Sequence, residues 1–433
     1  MIVDPPVLLR RMFDAAVARA SARICLPPFL SRLLPRLLLR APRGRVIVVG
    51  AGKAAAAMAQ VVESRWSADV EIEGVVVTRR GHGVPTETIE VLEAAHPVPD
   101  ATGTEAARRI LGLVRGRTPD DLILCLMSGG ASALLALPAP GLTLEDKRAI
   151  SRALLASGAT IAEMNCVRKH LSAIKGGRLA VACHPARVVT LVISDVPGDD
   201  PATVGSGPTV ADTTTFAEAR AVLAKYGVTA PPAVVEHLRA ATDETPRADD
   251  ARLAGIETHV IAAAGDAIAA AAEVARAAGV SPIVLGDDLE GESRDVAANH
   301  ARVVGDIVRQ RGRAAGPWVL LSGGETTVTV RGQGRGGRNT EYLLALTTAL
   351  GGAAAVHALA ADTDGIDGTE DNAGAVMSPT TLARAQALGL DARAHLQRND
   401  AYPFFAALGD LLITGPTLTN VNDFRAVYVQ PSP

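Results

Sequence analysis

The sequence predicts an α/β protein built from two domains with largely parallel sheets. Three observations carry the prediction. A chain of 433 residues is longer than one ordinary domain. Apolar runs such as Leu122 to Met127 and Arg187 to Ile193 alternate with longer helical patterns, as strands do when helices cover both faces of a parallel sheet. Hydrophobic residues make up 48% of the chain but aromatic residues only 3%. The cores must therefore be filled by alanine, valine and leucine, side chains small enough for helices to pack closely on strands.

In chain order, residues 7–39 read as helix broken at Pro27, Pro28 and Pro35. Arg45 to Val49 reads as a strand leading into Gly50-Ala51-Gly52-Lys53 and an alanine-rich helix to Trp66. Val75 to Thr78 and Glu90 to Ala94 are the next strands, and Leu122 to Met127 ends at Ser128-Gly129-Gly130. Helical patterns dominate from Thr143 to Cys183, after which the strand Arg187 to Ile193 ends in a turn carrying Asp195, Asp199 and Asp200. Ala241 to Ala251, ATDETPRADDA, is polar, charged and without apolar period, and is the expected linker. It divides the chain into domains 1–245 and 252–433. The alternation then resumes with strands at His259 to Ala263, Pro282 to Leu285, Trp318 to Leu321, Val356 to Ala361 and Arg425 to Val429.

Composition excludes several functions. The net charge is −3 with both signs interspersed, so no basic patch marks a nucleic-acid binder. The apolar stretch from Leu26 to Leu39 is interrupted by prolines and arginines and does not read as a membrane span. Four scattered cysteines without a C-x-x-C pair, and a start that lacks signal-peptide features, lead us to expect a reduced, cytoplasmic protein. A monomer or homodimer acting on a small molecule is the expected state.

In open parallel sheets ligands bind beyond the carboxyl ends of strands, which is where the chemistry-bearing residues fall. Gly50-Ala51-Gly52-Lys53-Ala54-Ala55 superficially fits the dinucleotide pattern, but no acid ends the second strand to hold a ribose. An anion site at a helix N-terminus, with Lys53 adding a point charge, is the stronger reading. Ser128-Gly129-Gly130, followed by Ser132, is echoed by Ser322-Gly323-Gly324, followed by Glu325. Both turns are suited to offering backbone N–H groups to phosphates. The loop Arg331 to Arg338, with Gly336 near its end, concentrates glycine and arginine, and Asn339 opens a helix. The glycines are expected to close the loop over a phosphate chain. Asn165, Arg168 and either Lys169 or Ser172 are spaced to share a helix face, although alone this segment reads as an exposed basic helix. Asp195 and Asp199 suit a metal or a hydroxyl proton, or simply turn chemistry. Asp362, Asp364, Asp367 and Asp371 leave the same alternatives open.

Taken together, these segments resemble the glycerate 2-kinase family, whose carboxy-terminal part is the MOFRL domain and whose relatives have also been called hydroxypyruvate reductases. The resemblance rests on VVGAGKAA, HPVPD, LMSGGASALL, MNCVRKHLSAIKGGRLA, ISDVPGDDPATVGSGPT, LLSGGETTV, GRGGRNTEYLLAL, DTDGIDG and LGDLLITGPTLTNVND, from Val48 to Asp423 in the family's order. It departs at Leu418, where the family often carries glycine. The resemblance implies two α/β domains with the active site in the cleft between them. It implies ATP- and Mg2+-dependent phosphorylation of D-glycerate to 2-phosphoglycerate. Lys53 and Arg338 become the expected catalytic cations, and the Ser128 and Ser322 turns phosphate or substrate contacts. Asp195 is the expected base or metal carboxylate, with Asp199 and Asp364 behind it as metal ligands. Arg168, Lys175 and Arg178 are expected to bind substrate. The alternatives are an NADP-dependent hydroxypyruvate reductase and, from another class, a non-catalytic small-anion sensor.

Overall fold

A computed structural model describes residues 4–38, 44–66, 71–311, 316–352 and 356–430. The chain forms two compact units. One comprises Ala22–Asp195 with Asp199–Ile261, the other Met1–Ser21 with Val196–Gly198 and Ala262–Pro433. In the chain these compact units meet at Ile261/Ala262, whereas the sequence places the expected linker at 245/252.

The first unit holds a six-stranded sheet. Its strands are β1 (Val46–Ala51), β2 (Ile72–Arg79), β3 (Ile89–Ala94), β4 (Leu122–Ser128), β5 (Arg187–Ile193) and β6 (Ile256–Ala262). Their order is β3-β2-β1-β4-β5-β6. The β1–β2, β2–β3, β1–β4 and β4–β5 pairs are parallel. Every residue of β1 and β4 is buried, which is why these strands are written as unbroken apolar runs. Strand order reverses between β1 and β4, so the crevice beyond their carboxyl ends is the topological switch point. The register Ala51↔Met127 sets the Lys53 turn beside the Ser128–Gly130 turn there.

The second unit contains β7 (Ser281–Gly286), β8 (Gly291–Glu292), β9 (Trp318–Ser322), β10 (Thr326–Thr327), β11 (Val356–Asp362), β12 (Gly374–Met377), β13 (Leu411–Leu412) and β14 (Asp423–Val429). Its main sheet runs β13-β12-β11-β14-β9-β7, and β8 pairs with β10 separately. Only β7–β9 is parallel in the main sheet, while β9–β14, β14–β11, β11–β12 and β12–β13 are antiparallel. The expectation of a largely parallel second sheet is thus corrected. Apolar runs report burial on both faces, and burial does not depend on strand direction.

Three helices start where Thr-x-x-Asp or Thr-x-x-Glu stands in the sequence. Thr143 with Asp146, Thr160 with Glu163 and Thr215 with Glu218 each form a reciprocal capping box. The amino-terminal helices differ from expectation. They run over Pro5–Ala20 and Ala22–Leu38, and the break falls at Ser21, not at the prolines. Ser21 turns extended there, and its hydroxyl donates to Ala18 O (2.7 Å). No described helix is long and apolar enough to cross a membrane.

The expected linker is stitched down within the first unit. Glu244 Oε1 bonds His170 Nε2 (2.8 Å), Arg247 Nη1 donates to Asp212 O (2.8 Å), and Thr245 is buried. A polar composition here reflects hydrogen bonding to neighbouring loops, not freedom. Leu418 takes a left-handed φ of 62°, a conformation that glycine adopts without steric cost.

Candidate active site

The Lys53 turn is closed by its own surroundings. Gly52 N–H donates to Val77 O (3.1 Å), Lys53 N–H to Gly129 O (2.8 Å), and Ala54 N–H to Ser128 Oγ (3.0 Å). The helix Ala55–Arg65 therefore begins with these backbone donors already engaged. Where an anion site was expected, these three N–H groups bond within the chain. Gly50 and Gly52 are needed for packing: a Cβ on Gly50 would overlap Leu126 O, and one on Gly52 would overlap Ser128 Oγ. Ser128, an expected phosphate contact, is buried and positions the turn. What the turn presents is the Lys53 side chain, 8% exposed. A Cβ on Gly130, where φ is 82°, would sit 3.5 Å from Lys53 Cγ and 3.1 Å from the His96 ring. Gly130 thus leaves room for the lysine stem and His96. Gly52→Ala is expected to destabilise the first unit by about 1–3 kcal/mol, because φ is 133° and Ser128 blocks the new methyl group. Chemical denaturation checks this.

Two residues further on, Ser132 joins a polar network. Its Oγ lies 2.9 Å from Ser206 Oγ, and Ser206 Oγ donates to Asn165 Oδ1 (3.1 Å). Lys175 Nζ donates to Ser132 O (2.8 Å) and Gly205 O (3.2 Å). Arg168 reaches Asn165 Oδ1 at 3.5 Å. The structure thus brings Ser132, Arg168 and Lys175 together, but it turns Arg178 to the Asp243 carbonyl and carboxylate. Arg178, an expected substrate contact, braces the loop there and keeps a buried Nη1 without a hydrogen-bond partner. Ser206 and Lys147, described below, were not among the expected site residues. Asp195 follows β5 at intermediate burial, and Asp199 adopts φ 54° in the next turn.

In the second unit Arg338 opens the helix Arg338–Leu350. Its guanidinium is held on three sides: Nε to Asp423 Oδ1 (2.7 Å), Nη1 to Glu325 Oε1 (2.5 Å) and Nη2 to Asp362 Oδ2 (2.8 Å). Burial works against the charge, but Asp423, Asp362 and Glu325 outweigh it and hold the Arg338 pKa well above its ordinary value. Asp423 is also bonded to Arg425 Nη2 (2.5 Å) and Asn339 Nδ2 (2.7 Å). Glu325, an expected phosphate contact, is thus a partner of the arginine.

The helix N-terminus is occupied as well. Asp367 accepts from the N–H groups of Asn339 and Thr340 (both 2.9 Å) and from Thr340 Oγ1 (2.8 Å). Burial, only partly offset by these bonds, raises the Asp367 pKa. Asn339, an expected phosphate contact, is fully buried and braces Asp367 and Asp423. The glycine loop is stitched to its own chain. Arg331 N–H and Gly332 N–H donate to Asn399 Oδ1 (2.8 and 3.1 Å), and Arg335 N–H to Asp400 Oδ1 (3.0 Å). A Cβ on Gly332 would overlap Arg398 O, and Gly336 lies against Tyr402 N. These glycines, expected to close the loop over a phosphate chain, permit close packing of the chain on itself. Ser322, Gly323 and Gly324 are buried at the end of β9. Gly323 N–H donates to Gly286 O (2.9 Å) and a Cβ on Gly324 would overlap the Leu289 backbone. The turn is thereby shut toward that side, leaving Ser322 Oγ as a buried atom without a hydrogen-bond partner.

Comparison with known proteins gives the arrangement a family. Residues 8–239 match a domain of unknown function, DUF4147, and residues 318–423 match the MOFRL family. The chain is 53% identical to an Agrobacterium vitis protein provisionally named hydroxypyruvate reductase, over 98% of this chain and 94% of that one. It is 38% identical to the D-glycerate 2-kinase of Thermotoga maritima, over 96% of this chain and 98% of the relative. The crystal structure of a Thermotoga maritima glycerate kinase superposes with a TM-score of 0.85 at 37% identity, covering 98% of both chains. The chain belongs to the glycerate 2-kinase family, with a MOFRL carboxy-terminal region.

Proposed function

We propose that the protein transfers the γ-phosphoryl group of ATP to the 2-hydroxyl of D-glycerate, giving ADP and 2-phosphoglycerate. The observation that carries this reading is Lys53. A cation stands at the switch point of a parallel sheet, in a turn whose backbone donors are already engaged. Phosphoryl transfer asks for positioning and for positive charge at the transferring group, and a lysine Nζ supplies a point charge there. Arg338 is proposed as the second cation, stiffened by its three carboxylates. The substrate hydroxyl oxygen attacks the γ-phosphorus, the bond from phosphorus to the ADP oxygen breaks, and the hydroxyl proton passes to a carboxylate, for which we propose Asp195. Gly129, Gly130 and Ser322 remain proposed neighbours of the nucleotide phosphates.

Mg2+ is proposed as the partner of ATP. Among the described residues no three His, Cys, Asp or Glu side chains form a metal-binding group. Asp364 Oδ1 already accepts from Ile366 N–H (2.8 Å). Such a donor set fits an ion that takes most of its ligands from phosphate and water, with one or two carboxylates from the protein. Asp199 and Asp364 are proposed for that part. Bound there, the ion would neutralise charge on the β- and γ-phosphate oxygens. A cytoplasmic location belongs to the same proposal.

A second reading, an NADP-dependent hydroxypyruvate reductase, is favoured by the first sheet, whose order is that of dinucleotide-binding folds. Against it stands the engagement of the donors of Gly52, Lys53 and Ala54, which a pyrophosphate at that helix would need. Purified protein given D-glycerate and MgATP is expected to form 2-phosphoglycerate, separable from the 3-isomer by chromatography. NADPH oxidation with hydroxypyruvate, without any phosphorylation of glycerate, would overturn the kinase reading.

A further inference from the structure

The helix Leu144–Ser157 buries Lys147 on the same face as Ile150 and Leu154. Lys147 Nζ donates to Leu137 O (3.3 Å), which also accepts from Ser172 Oγ (3.2 Å). Ser172 Oγ in turn accepts from Lys175 N–H (3.4 Å). Lys175 is 1% exposed and Lys147 7%. Lys175 thus meets Ser132 directly, Arg168 joins the Ser132–Ser206 pair through Asn165, and Lys147 joins through Leu137 O and Ser172. Among the described residues no carboxylate pairs with any of the three. The contrast lies one residue away: Lys169 meets Asp212 at 3.1 Å.

Buried cations without partners are costly, and proteins normally pair or neutralise them. Neutralisation here is partial. Burial, with Arg168 adding repulsion, lowers the Lys147 pKa to about 7. Burial, then Lys147 and Arg168, pushes Lys175 well below its ordinary value, while an arginine keeps its proton in proteins. The groups facing Lys147 are Arg168 from the helix Ile161–His170, Lys175 from the segment after it, and the Leu137 carbonyl. Near neutral pH Arg168 therefore holds its charge while Lys147 titrates.

We propose that Lys147, Arg168 and Lys175 form the subsite for the carboxylate of a small 2-hydroxy acid, and that binding there takes up a proton. The inference rests on the kinase reading, since it supplies the acceptor's anchor beside the Lys53 turn. Ser132 joins the two, two residues beyond Gly130. An anion among the three cations favours protonated Lys147, so affinity holds below pH 7 and falls as pH rises above it.

Calorimetric titration of the full chain with D-glycerate, without nucleotide, in buffers of different ionisation enthalpy tests this. We expect uptake of about half a proton per ligand near neutral pH. Lys147→Met should abolish the uptake and weaken binding about tenfold. It should not lower the melting temperature, because it removes an uncompensated charge. Lys147→Arg, which cannot release its proton, serves as the second variant and should bind glycerate without uptake. Glycolate, sharing only the carboxylate and a 2-hydroxyl, should reproduce the proton signal. Unchanged proton uptake in Lys147→Met, or inorganic phosphate binding as tightly as glycerate with the same uptake, overturns the subsite. If both acids bind with the expected uptake but glycerate is not phosphorylated, the subsite stands and the kinase reading falls. Phosphorylation with an unaltered KM for glycerate in Lys147→Met removes the subsite alone.

Discussion

Lys53→Ala is expected to lower kcat by on the order of 10²-fold or more in a protein that remains folded by circular dichroism. The rate falls because the side chain is the positive group this turn offers to a transferring phosphoryl. The fold survives because main-chain bonds and the Ser128 hydroxyl hold the turn. Arg338→Ala is expected to cost as much in rate, but less cleanly. It strips a partner from Glu325, Asp362 and Asp423 at once, and like charges left together in a buried site disturb the fold as well. Steady-state kinetics of Lys53→Ala with both substrates is the sharper test, and near-normal kcat would remove Lys53 from the mechanism.

Asp423→Ala is expected to give the largest loss of stability. The carboxylate is 2% exposed and binds Arg338, Arg425 and Asn339 together. Arg425 is itself 1% exposed, lies under the Tyr342 ring at 5.3 Å, and donates to Gly323 O (3.1 Å). Removing the carboxylate leaves buried guanidinium charge without its main partner, a change of about 3–5 kcal/mol. For a unit of this size that lowers the melting temperature by roughly 10 °C, which differential scanning calorimetry reads directly. The same substitution should reduce kcat, since Arg338 loses the bond that orients its Nε edge.

Strand positions were legible because burial writes itself into local sequence, as in β1 and β4. Direction was not, because β11 and β14 are nearly as buried as β1 and β4 and yet pair antiparallel. Arg338 stood out in a loop of glycine and arginine, but its partner Asp423 lies 85 residues away and no local pattern points to it. The packing role of that loop's glycines was hidden for a related reason. A glycine needed for a ligand and one needed for the Arg398 backbone look alike in sequence. Lys147 did leave a signal, a lysine spaced with Ile150 and Leu154 on an apolar helix face. Leu418 left another: a residue standing where the family often has glycine proved to be one with positive φ.

The amino-terminal helix adds a constraint of time. Pro5–Ala20 buries Leu8, Leu9, Met12, Phe13 and Ala16, packing on the helix Ala264–Ala277 and on β11 and β14. Thr419 Oγ1 donates to Ala20 O (2.7 Å) across 399 residues of sequence, and Phe13 meets Phe424 at 5.9 Å. This helix therefore waits, once synthesised, for a partner 399 residues further along the chain. During that interval its apolar stripe has no native cover, while the intervening unit is free to fold around its own sheet. A chain that terminates before Thr419 is consequently not just shorter at its carboxyl end. It also carries an undocked, sticky helix at its amino end, which makes incomplete products ready targets for chaperones and proteases.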